Sequence, residues 1–485
     1  MRKCIFFMLC LCASCVMAQD KTTDFQTFRQ QMLDDYQSFR KKILDDYATF
    51  LDTAWRNYET FTGKKLYPDR KPKVMPEASP VDDTPSTAIP APEVAEPTAP
   101  AKGGVPEPVK PDINSVVPTV PLQKCVSFDF YSLKARVPSV DLPSLDGIDG
   151  HAVSALWNQF AEDDIYNKVS PTLNQYRMTC NLNDWLTFQL VHMYADAIYP
   201  ADDNSSVVLA HYLLANMGFD IRMGKGRDDR LLLLVPFRQM AYSRPYLTLN
   251  GVKYFVFMYD GGRDVSNTIS SLATYSLPDN ADLGTAFNLV VDKLQLPAQG
   301  GKQYELTDGV ITLKGTVPNM PVDVATNIVQ TDIPVYAKSC LSATFHNDLL
   351  SQVKSQIQGL SEVEAVSRLM HFIQYAFKYA TDDDQFGYEK PFFIEDNFFY
   401  PYNDCEDRAV LLTFLVRNLL GLNAHLLHFP EHEATAICFT DQSLNGDGYI
   451  YNGKKYLICD PTYIGAGIGR CMPQYENVKP EIENE

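Results

Sequence analysis

The chain predicts an α+β protein, with helix and strand signals in separate blocks along the sequence. Three observations carry this. A long apolar run from Ala409 to Leu420 closes at Gly421, and short apolar runs with Asn-Gly turns follow at once. An upstream block, residues 122–350, shows a similar mixture of helix and strand signals. Ahead of both lie an 11-residue helical repeat and then a proline-rich segment.

The 485 residues exceed one ordinary domain. The first 18 read as a secretory signal: Arg2 and Lys3, an apolar run from Cys4 to Val16, and a Val16-Met17-Ala18 site before Gln19. Cleavage after Ala18 predicts an exported protein, periplasmic or extracellular. A lipoprotein signal acylated at Cys15 is the alternative, though Cys12 stands where leucine is usual. No other stretch is long and apolar enough to span a bilayer. Formal charge is −18, and −20 once the two signal-peptide cations are removed. That acidity argues against nucleic acid or anionic lipid as partner.

Four of the eleven cysteines lie in the signal. Cys125, Cys180, Cys340, Cys405, Cys438, Cys459 and Cys471 remain. An odd count in an exported protein fits one reactive thiol with at most three bridges; the other reading is that none pair.

Residues 19–63 form the second segment. Phe28, Phe39, Phe50 and Phe61 recur every 11 residues, joined by Tyr36, Tyr47 and Tyr58. With Met32, Ile43 and Ala54 between them, steps of 4, 4 and 3 put these on one stripe of a long helix with little or slightly right-handed supercoil. Residues 24–62 would span roughly 60 Å. A stripe this long predicts self-association or docking on an envelope partner; folding back on its own domain is the alternative. Residues 64–121 follow, with fourteen of the 31 prolines between Pro68 and Pro121. They read as a disordered tether that does not fold with the globular part.

In the 122–350 block, Leu182-Asn183-Asp184-Trp185 opens a helix and Ser206 to Met217 reads as another. Strands are expected at 218–222, 230–235, 246–249 and 252–258. Asn183-Asp184-Trp185 parallels Asn403-Asp404-Cys405, and the Asn250-Gly251 turn parallels Asn452-Gly453. A degenerate copy of the C-terminal unit is one expectation, with Trp185 in the nucleophile's place. Chance is the other, since the spacings are 67 and 49 residues.

The last segment is 351–485. Ser361 and Glu364 form a capping box, and Val366, Leu369, Met370, Ile373 and Phe377 share one helical face. Further on, Asp404 is a good N-cap and Asp407 completes a capping-box-like pair. Cys405 then sits in the first turn of a buried helix, where unpaired N–H groups and the dipole favour a thiolate and can hold an oxyanion. Asp404, Glu406 and Asp407 oppose the thiolate and read mainly as caps. A buried structural cysteine is the alternative. After Gly421, residues 422–429 read as a strand, Pro430-Glu431 as a break, and His432 as the start of a second strand through Phe439. Asn445-Gly446-Asp447-Gly448 and Asn452-Gly453 read as hairpin signals. The returning strand ends at Asp460 before Pro461. His432 begins one strand and Asp460 ends the antiparallel one, so their side chains are neighbours.

Asp404-Cys405-Glu406-Asp407-Arg408-Ala409, His432 and Asp460-Pro461-Thr462 together resemble the transglutaminase-like superfamily, a papain-like cysteine-enzyme fold. The resemblance covers roughly residues 350–475. It implies Cys405 as nucleophile, His432 as general base and acid, and Asp460 as orienting carboxylate. Many members carry Ala-Trp-Val after the histidine; here Glu433-Ala434-Thr435 follows, without that aromatic wall. Gln385, Tyr402 and Asn403 are candidate oxyanion donors.

No cofactor or metal is expected. His425 and His428 point to opposite faces of one strand, so they do not converge with His432. Gly465-x-Gly467-x-Gly469 has no helix start after it and reads as a loop flanking the site. The sequence therefore predicts an exported cysteine peptidase or amidase acting on a peptide or protein substrate, with transamidation as a variant outcome. The rival is a non-catalytic envelope binding or assembly module working through its N-terminal helix.

Overall fold

The computed structural model describes residues 75–77, 93–94, 125–226, 229–269, 272–275 and 284–483. The expected signal at 1–18 with Cys15, the expected helical repeat at 19–63 and most of the expected tether at 64–121 lie outside the described residues. The described part is a mixed α+β structure. No helix in it is long and apolar enough to cross a membrane.

Two sheets organise the chain. Helices α1 (Asp184–Ile198) and α2 (Asp203–Asn216) precede the first. Its strands are β1 (Arg222–Gly226), β2 (Leu231–Val235), β3 (Tyr246–Leu249), β4 (Val252–Phe257) and β5 (Leu272–Thr274), ordered β5-β1-β2-β4-β3. Helices α3 (Ala343–Ile357), α4 (Glu362–Ala376) and α5 (Cys405–Leu420) lead to the second. It contains β6 (Asn423–Phe429), β7 (His432–Cys438), β8 (Gly448–Tyr451), β9 (Lys454–Cys459) and β10 (Glu481–Ile482), ordered β10-β6-β7-β9-β8. All these strand pairs are antiparallel.

β2 reads Leu-Leu-Leu-Leu-Val because both its faces are covered. Leu231, Leu233 and Val235 join the main core, while Leu232 and Leu234 fill a separate cluster on the other face. β7 is likewise buried throughout.

The two sheets share one topology. A helix is followed by a positive-φ glycine, Gly218 or Gly421. Two strands follow, then an Asn-Gly hairpin whose second strand inserts beside the second of the pair. Asn250-Gly251 (φ 52° and 81°) and Asn452-Gly453 (φ 49° and 75°) make the same turn, with both residues at the positive φ of type I′. Registers agree: Leu233 faces Phe257 in the first sheet, and Thr435 faces Cys459 in the second. The pairing of Trp185 with Cys405 needs correction, however. The helix that feeds the first sheet is α2, capped by Asp202, not α1. From Asp202 to Asn250 is 48 residues, as from Asp404 to Asn452, so the apparent spacing mismatch came from choosing the wrong helix. Trp185 is core: its ring stacks on Phe188 at 4.9 Å and its N–H donates to the Asn327 carbonyl at 2.9 Å.

Two other expectations change. Asn445–Gly448 closes no hairpin, because β9 lies between β7 and β8 and the segment must cross a strand end. Gly446 packs against Gly469 so closely that a Cβ there would meet the Gly469 Cα at 2.5 Å. That contact accounts for part of the glycine loop. The tether is not wholly separate from the fold either. Pro76 accepts a hydrogen bond from Ile464 at 2.9 Å, and Glu93–Val94 adds a parallel edge to β10.

Candidate active site

Helix α5 begins where the sequence places it. The Asp404 N–H donates to Asp407 Oδ2 at 3.1 Å within a capping box, and Gly421 ends the helix at φ 66°. Gly421 turns the chain back into β6, and the Pro430-Glu431 turn, with Glu431 at φ 68°, reverses it into β7. β7 therefore runs in the same sense as α5, and their starts, Cys405 and His432, lie at the same end. Thr435 staples the two elements, its hydroxyl donating to the Ala409 carbonyl at 3.1 Å.

His432 Nε2 lies 2.7 Å from Asp460 Oδ2. The other carboxylate oxygen accepts the N–H groups of Thr462 (2.8 Å) and Tyr463 (3.2 Å). The bond to the carboxylate places the ring proton on Nε2 and leaves Nδ1 with its lone pair. Nδ1 has no hydrogen-bond partner among the described residues. Cys405, His432 and Asp460 are buried, the thiol residue at 1% exposure.

Two neighbours of this group escaped the sequence reading. The Cys405 thiol donates to Glu406 Oε2 at 3.2 Å, so Glu406 is its direct partner as well as a cap-region acid. The Tyr475 ring lies parallel to the His432 ring, 5.5 Å between centroids and 4° between planes. The Tyr475 hydroxyl donates to the Pro430 carbonyl at 3.0 Å. Burial, then the charges of Cys405, Glu431 and Asp460, push that hydroxyl up to about 12. The aromatic surface missing after His432 is thus supplied from the C-terminal segment. Gln374 was also missed: its amide donates to the carbonyls of Asp460, Tyr463 and Ala466 at 2.9–3.3 Å, bracing the loop that carries the carboxylate. A buried glutamine on an apolar helix was its only signal.

The oxyanion candidates fare differently. Asn403 is spent on structure, donating to Asn397 and accepting from Arg408 Nε, both at 2.9 Å. The Tyr402 side chain is 39% exposed, on the surface. The Gln385 amide donates to the Tyr402 carbonyl at 3.2 Å. Arg408 is fully buried and also donates to the carbonyls of Ile373 and Phe377. It locks the start of α5 to the end of α4. Around it lies an acidic group, Asp382, Asp404 and Asp407, with carboxylate oxygens within 4.8 Å of one another. Burial and the neighbouring Asp404, Asp382 and Glu406 raise the Asp407 carboxyl well above the ordinary range.

His425 and His428 do not join His432. The first bonds the Tyr449 hydroxyl at 2.8 Å, and the second lies 3.3 Å from Glu433. All seven cysteines among the described residues are unbridged, so none of the three allowed disulfides forms there. Compared with protein-family models, curated proteins and solved structures, the chain matches none.

Proposed function

We propose that the chain is an exported cysteine peptidase or amidase with a papain-like, transglutaminase-like C-terminal core. The observation that carries this is the 2.7 Å His432–Asp460 contact, with Nδ1 unpartnered among the described residues, at the start of β7 and on the side where α5 begins. Cys405 attacks an amide carbonyl and its proton passes to His432 Nδ1. The imidazolium then protonates the leaving amine, and a thioester remains on Cys405. Water releases the acid; an amine in its place gives transamidation. With the Asn403 and Gln385 side chains committed elsewhere and Tyr402 exposed on the surface, the oxyanion role passes to amides of the first turn of α5.

The matched topology of the two sheets supports reading residues 122–350 as a degenerate copy. At the places of Cys405, His432 and Asp460 stand Asp203, Arg230 and Met258, which cannot perform this chemistry.

The second reading, a non-catalytic binding module, draws on the burial of Cys405 and its bond to Glu406. Labelling by a peptide-like acylating probe separates the two. Wild type is expected to label at Cys405, Cys405→Ala not at all, and His432→Ala at least about a hundredfold more slowly. Equal labelling of wild type and His432→Ala would leave the binding module as the better account.

A further inference from the structure

We propose that Gln374 is a positioning residue for the Cys405–His432–Asp460 group: with Arg408, it makes the last turn of α4 a strut that fixes the Asp460 carboxylate against the helix carrying Cys405. This rests on the cysteine-enzyme reading above. Gln374 lies near the end of α4, 3% exposed, beside the buried Leu369, Met370 and Ile373. A buried amide costs stability unless its polar atoms are bonded. Both of them turn to one loop. Nε2 lies 2.9 Å from the Tyr463 carbonyl, 3.1 Å from that of Ala466 and 3.3 Å from that of Asp460. Oε1 accepts the Gly465 N–H at 3.3 Å. Residues 460–466 are thus gathered around a single side chain.

That loop aims the carboxylate. Asp460 Oδ2 meets His432, while Oδ1 is held by the N–H groups of Thr462 and Tyr463. Gln374 holds the carbonyls of Asp460 and Tyr463, so the main chain and the side chain of Asp460 are fixed from two directions. A shift of the loop would swing Oδ2 away from Nε2 and release the ring from the tautomer and orientation that leave Nδ1 as the base.

The same turn of α4 grips the nucleophile helix. Arg408, fully buried three residues beyond Cys405, donates to the carbonyls of Ile373 at 3.3 Å and Phe377 at 2.9 Å. Ile373 precedes Gln374 in the chain. Thr435 separately ties β7 to α5 at Ala409. Arg408, Thr435 and Gln374 therefore join the three groups, and the link through Gln374 is the one that reaches the carboxylate loop. Packing alone does not call for an amide here. Methionine has similar length and would fill the space, but it cannot hold three carbonyls and an N–H.

The test is acylation of the full chain by the peptide-like probe, with the maximal rate and the half-saturating concentration measured separately. Wild type, Gln374→Met, Asp460→Ala and the double variant are compared. Gln374→Met is expected to lower the maximal rate at least about tenfold with half-saturation little changed, because alignment is lost and probe binding is not. In the Asp460→Ala background the same substitution should cost less than about twofold, since the amide acts through that carboxylate. A merely structural role would show its cost in both backgrounds. A maximal rate unchanged in Gln374→Met, or the full cost persisting in Asp460→Ala, would overturn the proposal. Gln374→Asn keeps the amide one methylene short and carries the same comparison where the methionine variant fails to fold. Wild type that never labels at Cys405 would instead sink the cysteine-enzyme reading, and this role with it.

Discussion

Tyr475 covers one face of His432, its ring parallel to the imidazole and its hydroxyl tied to the Pro430 carbonyl at the start of the same turn. The ring therefore both orients the imidazole and shields it from water. Tyr475→Phe keeps the ring and loses one hydrogen bond. Its expected cost is about 1 kcal/mol of stability with little change at Cys405. Tyr475→Ala removes the wall. Iodoacetamide should then reach Cys405 faster, while acylation by a peptide-like probe slows, because access improves and imidazole alignment is lost. Parallel rates for the two reagents would show that Tyr475 acts on access alone.

The Cys405 thiol donates to Glu406 Oε2 at 3.2 Å, a contact available only to the protonated sulfur. In Glu406→Gln the charge is gone. Alkylation of Cys405 at neutral pH is expected to rise several-fold, with the rate profile displaced toward lower pH. Stopped-flow alkylation across pH checks this; a slower variant would mean that Glu406 assists ionisation.

Arg408→Met should be severely destabilising. It strips hydrogen bonds from Asn403, Ile373 and Phe377 and removes the buried cation beside Asp404 and Asp407. The expected loss is about 3–5 kcal/mol, read from denaturant melts.

Stability should fall from neutral toward alkaline pH. In the folded chain burial disfavours a charged His346, but Glu395 prevails and lifts it to about 10, above the ordinary histidine value of 6.5. Between those values the folded state holds the extra proton, so this contribution is complete below 6.5 and disappears through 10. Glu483, raised to about 8 by burial and then Glu433, acts in the same sense above its ordinary 4.5. The melting temperature should be lower at alkaline than at neutral pH, and His346→Gln should flatten the decline. A difference unaltered by His346→Gln would assign it to other groups.

Helix α5, β7 and β9 were legible because their signals are local: the Asp404 cap, the Gly421 stop, and the Asn452-Gly453 turn that forces β9 back along the sheet. The His432–Asp460 contact followed from strand direction alone. Features set by long-range packing were not legible. Tyr475 reaches His432 only because a two-residue strand, β10, draws the C-terminal segment across β6. Asn403 sits next to the capped cysteine helix, yet Arg408 claims its side chain. Asn183-Asp184-Trp185 looked like the nucleophile motif because short caps recur, and only sheet order identifies α2 as the matching helix. The tether's proline content hid two short stretches that pair with the C-terminal unit.

One apolar cluster takes in Leu233 and Phe257 of the first sheet together with Ile437 and Leu457 of the second. The first sheet is thus part of the wall against which the second packs. Cutting it away would strip the second sheet of that wall and leave an oily face open to aggregation, so neither sheet should be expressible as a well-behaved fragment without the other.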